Sequence, residues 1–114
     1  MISVHEQQTA NGFYVGRLTL NLPQTLNALT LEMAHSARRQ LSQWATRANI
    51  ACVVIEGEGR AFCAGGDVRR MRKGILEGNP YCEQFFEQEY RLDHAIHHYP
   101  KPLLVLGHGV VMGG

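Results

Sequence analysis

The residues best placed to do chemistry are Ala61-Phe62-Cys63-Ala64-Gly65-Gly66-Asp67-Val68-Arg69 and, near the other end, Val111-Met112-Gly113-Gly114. Each is a glycine-rich turn after an apolar run. Where such a turn opens a helix, backbone N–H groups have no intrahelical partner and can face a ligand oxygen. Two such turns can share one oxyanion hole, which stabilises negative charge developing on a carbonyl oxygen. Gly65-Gly66 has no Cβ atoms, so the pair can take positive φ and let a bound carbonyl approach the backbone closely. A plain strand-to-helix turn accounts for the same residues, and the motif alone does not separate the two readings.

The other candidates carry less. Gly57-Glu58-Gly59-Arg60-Ala61-Phe62 begins like a dinucleotide fingerprint, but Phe62 stands in the third glycine's place, and no G-x-x-x-x-G-K-[ST] occurs. Arg69, Arg70, Arg72 and Lys73 follow the glycine turn. They read as a solvated helix face, or as cations for a phosphate-bearing ligand lying over the loop. His94 and His97 are three apart with no third zinc ligand at useful spacing, which makes them surface or packing histidines. Cys63 has no base nearby in sequence and reads as a small packing residue. No serine lies in a G-x-S-x-G context. Asp67 reads as a helix cap.

These residues need elements to hold them. Asn11-Gly12, the pair a two-residue type I′ turn prefers, lies between Ile2–Gln7 and Phe13–Leu22 and predicts a β-hairpin ended by Pro23. Thr30 can cap a helix from Leu31 to about Ala48, with Ala34, Ala37, Leu41, Trp44, Ala45 and Ala48 on its buried face. Cys52-Val53-Val54-Ile55 and Leu103-Leu104-Val105-Leu106 read as strands buried on both faces. Between them come a loop over Glu56–Gly66 and a short helix, capped by Asp67 and running through Lys73, broken by Gly74, Gly78, Asn79 and Pro80. A second helix then runs over Tyr81–Tyr99 to the stop at Pro100-Lys101-Pro102. Strand, helices, strand implies a crossover with parallel pairing, so the class is α/β.

With 114 residues, 45% hydrophobic and net charge +1, the chain is one domain at most and offers no electrostatic case for nucleic acid or membrane. A small-molecule partner is the default. Cys52, Cys63 and Cys82 suit reduced thiols in the cytoplasm. The N-terminus lacks a signal-peptide pattern, and no apolar run spans a bilayer.

Asn27-Ala28-Leu29, the segment Ala61–Arg69, Lys101-Pro102 before a strand, and Val111-Met112-Gly113-Gly114 together resemble, in order and spacing, the N-terminal half of the crotonase (enoyl-CoA hydratase/isomerase) superfamily. Cys63–Arg69, Phe85–Leu92 and Gly109–Gly114 look most like its 3-hydroxyisobutyryl-CoA hydrolase branch, with enoyl-CoA hydratase the alternative. The resemblance implies a crotonase-like spiral of ββα units, incomplete at the C-terminus, and an acyl-CoA thioester as substrate. It implies no separate cofactor, coenzyme A being part of that substrate, and a homo-oligomer such as the superfamily's trimers or hexamers. It places the oxyanion donors at the Gly66 and Gly114 N–H groups. It sets Asn27, Ala28, Ala64 and Gly65 along the coenzyme A, and Arg69 at its phosphate. The basic residue common before the N-A-L motif is absent, since Leu22-Pro23 stands there, which leaves one adenine-end contact unaccounted for. The superfamily's acid/base carboxylates lie beyond the second glycine turn. The chain by itself is therefore expected to turn over little, and a non-catalytic coenzyme-A-binding remnant is the reading of a different class.

Overall fold

The alternation Leu18-Thr19-Leu20 sends every second side chain to one face of its strand, and in the computed structural model that face is the core. The structure describes residues 2–9, 11–22, 24, 27–59, 61–63, 65–107 and 110–111. Strands β1 (Ile2–Gln8) and β2 (Tyr14–Leu20) pair antiparallel from Ile2↔Leu20 to Gln8↔Tyr14. Their connection is not the expected type I′ turn, which needs positive φ at both central residues. Gly12 is left-handed (φ 79°) and Asn11 is not, and Thr9 N–H closes a longer loop on the Phe13 carbonyl at 2.8 Å. Pro23 lies outside the described residues.

Helix α1 (Leu31–Ala45) starts where Thr30 caps it, the hydroxyl accepting from Met33 N–H at 3.2 Å. It packs Met33, Ala34, Ala37, Leu41 and Trp44 onto Leu18, Leu20 and the apolar side chains of β3 (Ile50–Gly57). The indole of Trp44 lies over Gly16, where a Cβ would stand 2.7 Å from two of its ring carbons. The helix ends at Ala45 rather than Ala48, and Ala48 is exposed. Lys101 meets the chain there, donating to the Trp44 carbonyl at 2.7 Å and to the Arg47 carbonyl, a cation at a helix C-terminus.

The stretch expected to be a loop contains β4 (Ala61–Cys63). Three residues carry too little periodicity to reveal a strand. Helix α2 (Val68–Glu77) continues past Lys73, so Gly74 does not break it. Gly74 is buried in the corner between α2 and α3 (Tyr81–His97), where a Cβ would come within 3.0 Å of Tyr81 Cβ. Gly78 (φ 70°) provides the left-handed stop. Helix α3 ends at His97, two residues before the expected Tyr99.

Strand β5 (Leu103–Val105) lies parallel to β3, and β3 lies parallel to β2, giving the sheet order β1-β2-β3-β5. β4 pairs parallel with β6 (Val110–Val111) in a second sheet. The chain order is thus β1β2α1, then β3β4α2α3, then β5β6, which is the expected α/β series of ββα units. β5 departs from expectation in one respect. It was predicted to be buried on both faces, yet it is the outermost strand of its sheet among the described residues, and Leu104 is 58% exposed. No helix among the described residues is long and apolar enough to cross a membrane.

Candidate active site

The site grows from the segment after β2. Asn27 is fully buried and left-handed (φ 55°), a conformation asparagine tolerates better than most residues. Its side-chain oxygen accepts from Leu22 N–H at 2.7 Å and its amide donates to the Glu58 carbonyl at 2.8 Å. Asn27 therefore ties the approach to α1 to the end of β3, and the half-buried Ala28 follows it into the site. Leu29 then forms an isolated parallel bridge with Gly66. Leu29 N–H donates to the Gly65 carbonyl at 2.6 Å, and Asp67 N–H donates to the Leu29 carbonyl at 2.9 Å. In a parallel bridge the opposed residue turns its own N–H and C=O to the other side. The Gly66 N–H therefore points away from Leu29.

Of the two glycines only Gly65 is left-handed, at φ 87°. Gly66 is required for space, since a Cβ there would lie 2.9 Å from both Met71 Cε and Phe85 Cε2. Asp67 caps α2, its side chain accepting from Arg70 N–H at 3.3 Å. Strands β4 and β6 run parallel in register Cys63↔Val111, and Gly66 and Gly114 each lie three residues further along. The Gly65-Gly66 turn therefore follows the end of β4 beside which β6 also ends. Ala64 and Gly114 themselves lie outside the described residues.

Cys63 is partly buried, its sulfur 3.4 Å from Gly65 N. Burial pushes its thiol up from the ordinary range and the nearby charge of Glu89 adds to that, so the protonated form prevails and nucleophilic attack is disfavoured. Glu89 is a residue that the linear motifs do not reveal. It lies one helical turn after Phe85, on the face that meets Gly66, and burial raises its own pKa with help from Asp93. Its four-residue spacing from Phe85 on α3 marks it only once Phe85 is known to meet Gly66. A partly buried carboxyl beside a glycine turn is a reactive-site candidate.

The basic cluster divides. Arg70 pairs with Glu32 and Lys73 lies 3.9 Å from Glu77, whereas Arg69 and Arg72 have no acidic partner among the described residues. His94, His97 and His98 contact one another through their rings at the end of α3. Among the described residues no group of three or more His, Cys, Asp or Glu is placed to hold a metal. A groove of about 510 Å³ opens between α1 and α3 beside His35, Ser36 and Gln84. It does not include Gly66, and the glycine turn, with an N–H directed away from Leu29 and a carboxyl whose charge reaches Cys63, is the better candidate for chemistry.

A series of ββα units with a glycine turn where β4 gives way to α2 defines an α/β scaffold. The chain belongs to the Enoyl-CoA hydratase/isomerase family, whose pattern matches residues 15–114. It is 43% identical over 100 residues to the mitochondrial 3-hydroxyisobutyryl-CoA hydrolase of Danio rerio, covering 87% of this chain and 26% of that protein. The corresponding human protein is 40% identical over the same coverage. Among solved structures, an enoyl-CoA hydratase from Polaromonas sp. JS666 superposes with TM-score 0.80 at 29% identity, over 93% of this chain and 40% of that one. A carnitinyl-CoA dehydratase from Mycobacterium thermoresistibile gives TM-score 0.80 at 35% identity, over 96% of this chain and 32% of that one. The chain thus spans about a quarter of the length of the curated relatives it matches.

Proposed function

We propose that the complete protein carrying this segment hydrolyses a short branched 3-hydroxyacyl-CoA, of the kind met in valine catabolism. The observation that carries this reading is the Gly66 N–H, which the bridge leaves directed away from Leu29, just past the end of β4 beside which β6 also ends. When water attacks the thioester carbonyl, the oxygen takes on negative charge in a tetrahedral intermediate, which collapses to release the carboxylic acid and the coenzyme A thiol. Two fixed N–H donors, Gly66 and Gly114, stabilise that oxygen without reorganising, and each such donor is typically worth about 2.7–4 kcal/mol. Glu89 supplies a carboxyl of raised pKa beside the loop, suited to hold a proton near the substrate. Arg69, exposed and unpaired among the described residues, is offered to coenzyme A phosphate, with Ala28 and Gly65 lining the approach. Asn27 acts through the backbone it holds, because its side chain is buried. No cofactor beyond the coenzyme A of the substrate is needed.

The relatives at about 40% identity bear the hydrolase name, which favours hydrolysis over hydration. The structural neighbours named as hydratases support the second reading, addition of water across an enoyl-CoA double bond. Incubating the complete protein with 3-hydroxyisobutyryl-CoA and with a short enoyl-CoA distinguishes them. Release of free thiol from the first is the expected result, and loss of enoyl absorbance without thiol release would select hydratase. No reaction with either would leave the coenzyme-A-binding remnant. The segment alone is expected to be inactive. Free cysteines suit a reducing compartment, the cytoplasm or the mitochondrial matrix alike; the names of the vertebrate relatives assign those proteins to mitochondria, and fractionation tests the choice.

A further inference from the structure

Arg70 closes a ring of contacts around the glycine turn. Its guanidinium forks onto Glu32, Nη1 to Oε2 at 2.8 Å and Nη2 to Oε1 at 3.1 Å. The same group lies 4.7 Å from the centre of the Tyr81 ring. Tyr81 in turn accepts at its hydroxyl from Leu31 N–H (3.1 Å), the first residue of α1, and stacks on Phe85 at 6.3 Å. Phe85 is the side chain against which Gly66 packs. The starts of α1, α2 and α3 are therefore joined at Arg70, and the bridged Leu29 and Gly66 lie three residues before Glu32 and four before Arg70 along the chain.

Resting on the thioester reading above, we infer that Arg70 is a positioning residue, which aims the Gly66 N–H by locking the start of α2 to Glu32 of α1 and Tyr81 of α3. Its value is in direction rather than in stability. The pair is well exposed, with side-chain exposures of 44% and 64%, and exposed pairs add little to folding. A displacement of about 1 Å at a reacting group, by contrast, can cost on the order of 100-fold in rate. The fork and the ring stack are features of arginine that lysine cannot reproduce. Consistently, the Arg70 hydrogen bonds hold the Glu32 carboxyl below the usual range.

The test uses the complete protein and reads kinetics beside amide hydrogen exchange. Arg70→Gln is expected to lower kcat about tenfold or more while KM stays within about twofold and thermal stability is little changed. Exchange at the Leu29 and Asp67 amides is expected to quicken about tenfold, with Val53 and Ile55 unaffected. Arg70→Lys, which keeps charge but loses the fork, gives a smaller loss of the same kind, and it replaces Arg70→Gln if the latter does not fold. The reversed pair Glu32→Arg with Arg70→Glu restores the ion pair but not the Tyr81 stack, so it recovers part of what either single reversal loses. Unchanged exchange at Leu29 and Asp67 in the Arg70 variants would overturn the proposal, as would a reversed pair no better than its worse single. Faster exchange in a protein that turns over no acyl-CoA would uphold the clamp and sink the thioester reading.

Discussion

Asn27 shows how one residue type supports two different arguments. In sequence it belongs to an N-A-L motif associated with coenzyme A contact; in the structure its side chain is fully buried and spent on Leu22 and Glu58. Replacing it with alanine removes the side-chain bonds to the Leu22 N–H and the Glu58 carbonyl and places a residue with a Cβ, and no side-chain polar group, at positive φ. Together these should cost about 2–4 kcal/mol. Chemical denaturation of Asn27→Ala checks this, and Asn27→Gly should recover the backbone part. A rise in KM at unchanged stability would instead return the residue to the ligand. At this scale the caps Thr30 and Asp67 were legible, because a cap is a local contract between a side chain and an N–H three residues on. The roles of Glu89 and Arg70 were not, because their partners are far away in sequence.

At the scale of elements, α1 and its sheet depend on a close approach that no periodicity announces. Gly16 sits in an otherwise ordinary strand, and only the seat of the Trp44 indole explains it. Gly16→Ala should therefore destabilise the chain by about 1–3 kcal/mol through overpacking, and pairing it with Trp44→Leu should recover part of that loss. Additive losses in the two variants would show that the indole and the strand do not compete for that space. Gly74 makes the same point for helices. Its type predicts a break, but the packing of Tyr81 and Asn79 keeps it in the middle of α2, and Gly78 ends the helix one residue beyond Glu77. The longer elements were legible from apolar spacing, whereas β4 and β6 exist through pairing with each other.

Across the molecule, two titrating groups tie distant segments together and bound the pH range of stability. Glu6 of β1 accepts from Arg47 at 2.5 and 3.1 Å and from the Trp44 indole at 2.9 Å, and the Arg47 bond leads in holding its carboxyl below the usual 4.5. The unfolded chain then binds the proton more readily, so this stabilisation is complete above about pH 4.5 and is lost as pH falls through the lower folded value. Tyr99 donates to the Leu41 carbonyl at 2.8 Å, and burial raises its phenol from 10.0 to about 12. Its contribution is complete below the unfolded value and is lost as pH climbs from 10.0 toward about 12. Thermal melts across pH should show a plateau with both limbs. Glu6→Gln should flatten the acid side, where Glu32 still contributes, and Tyr99→Phe the alkaline side. Limbs that persist unchanged in both variants would assign them to other groups.

The sequence by itself determined the α/β class, the family, the caps and the Gly65-Gly66 turn, because these rest on local periodicity, on hydrogen bonds a few residues long and on motifs in fixed order. Only the tertiary structure decided that Gly66 turns its N–H away from Leu29, that Asn27 is a buried tie, and that Arg70 serves Glu32 and Tyr81 rather than a ligand phosphate. Each of those depends on which strand or helix start lies opposite. That choice is made by packing and by bridges such as Leu29–Gly66, between residues separated by tens of positions along the chain.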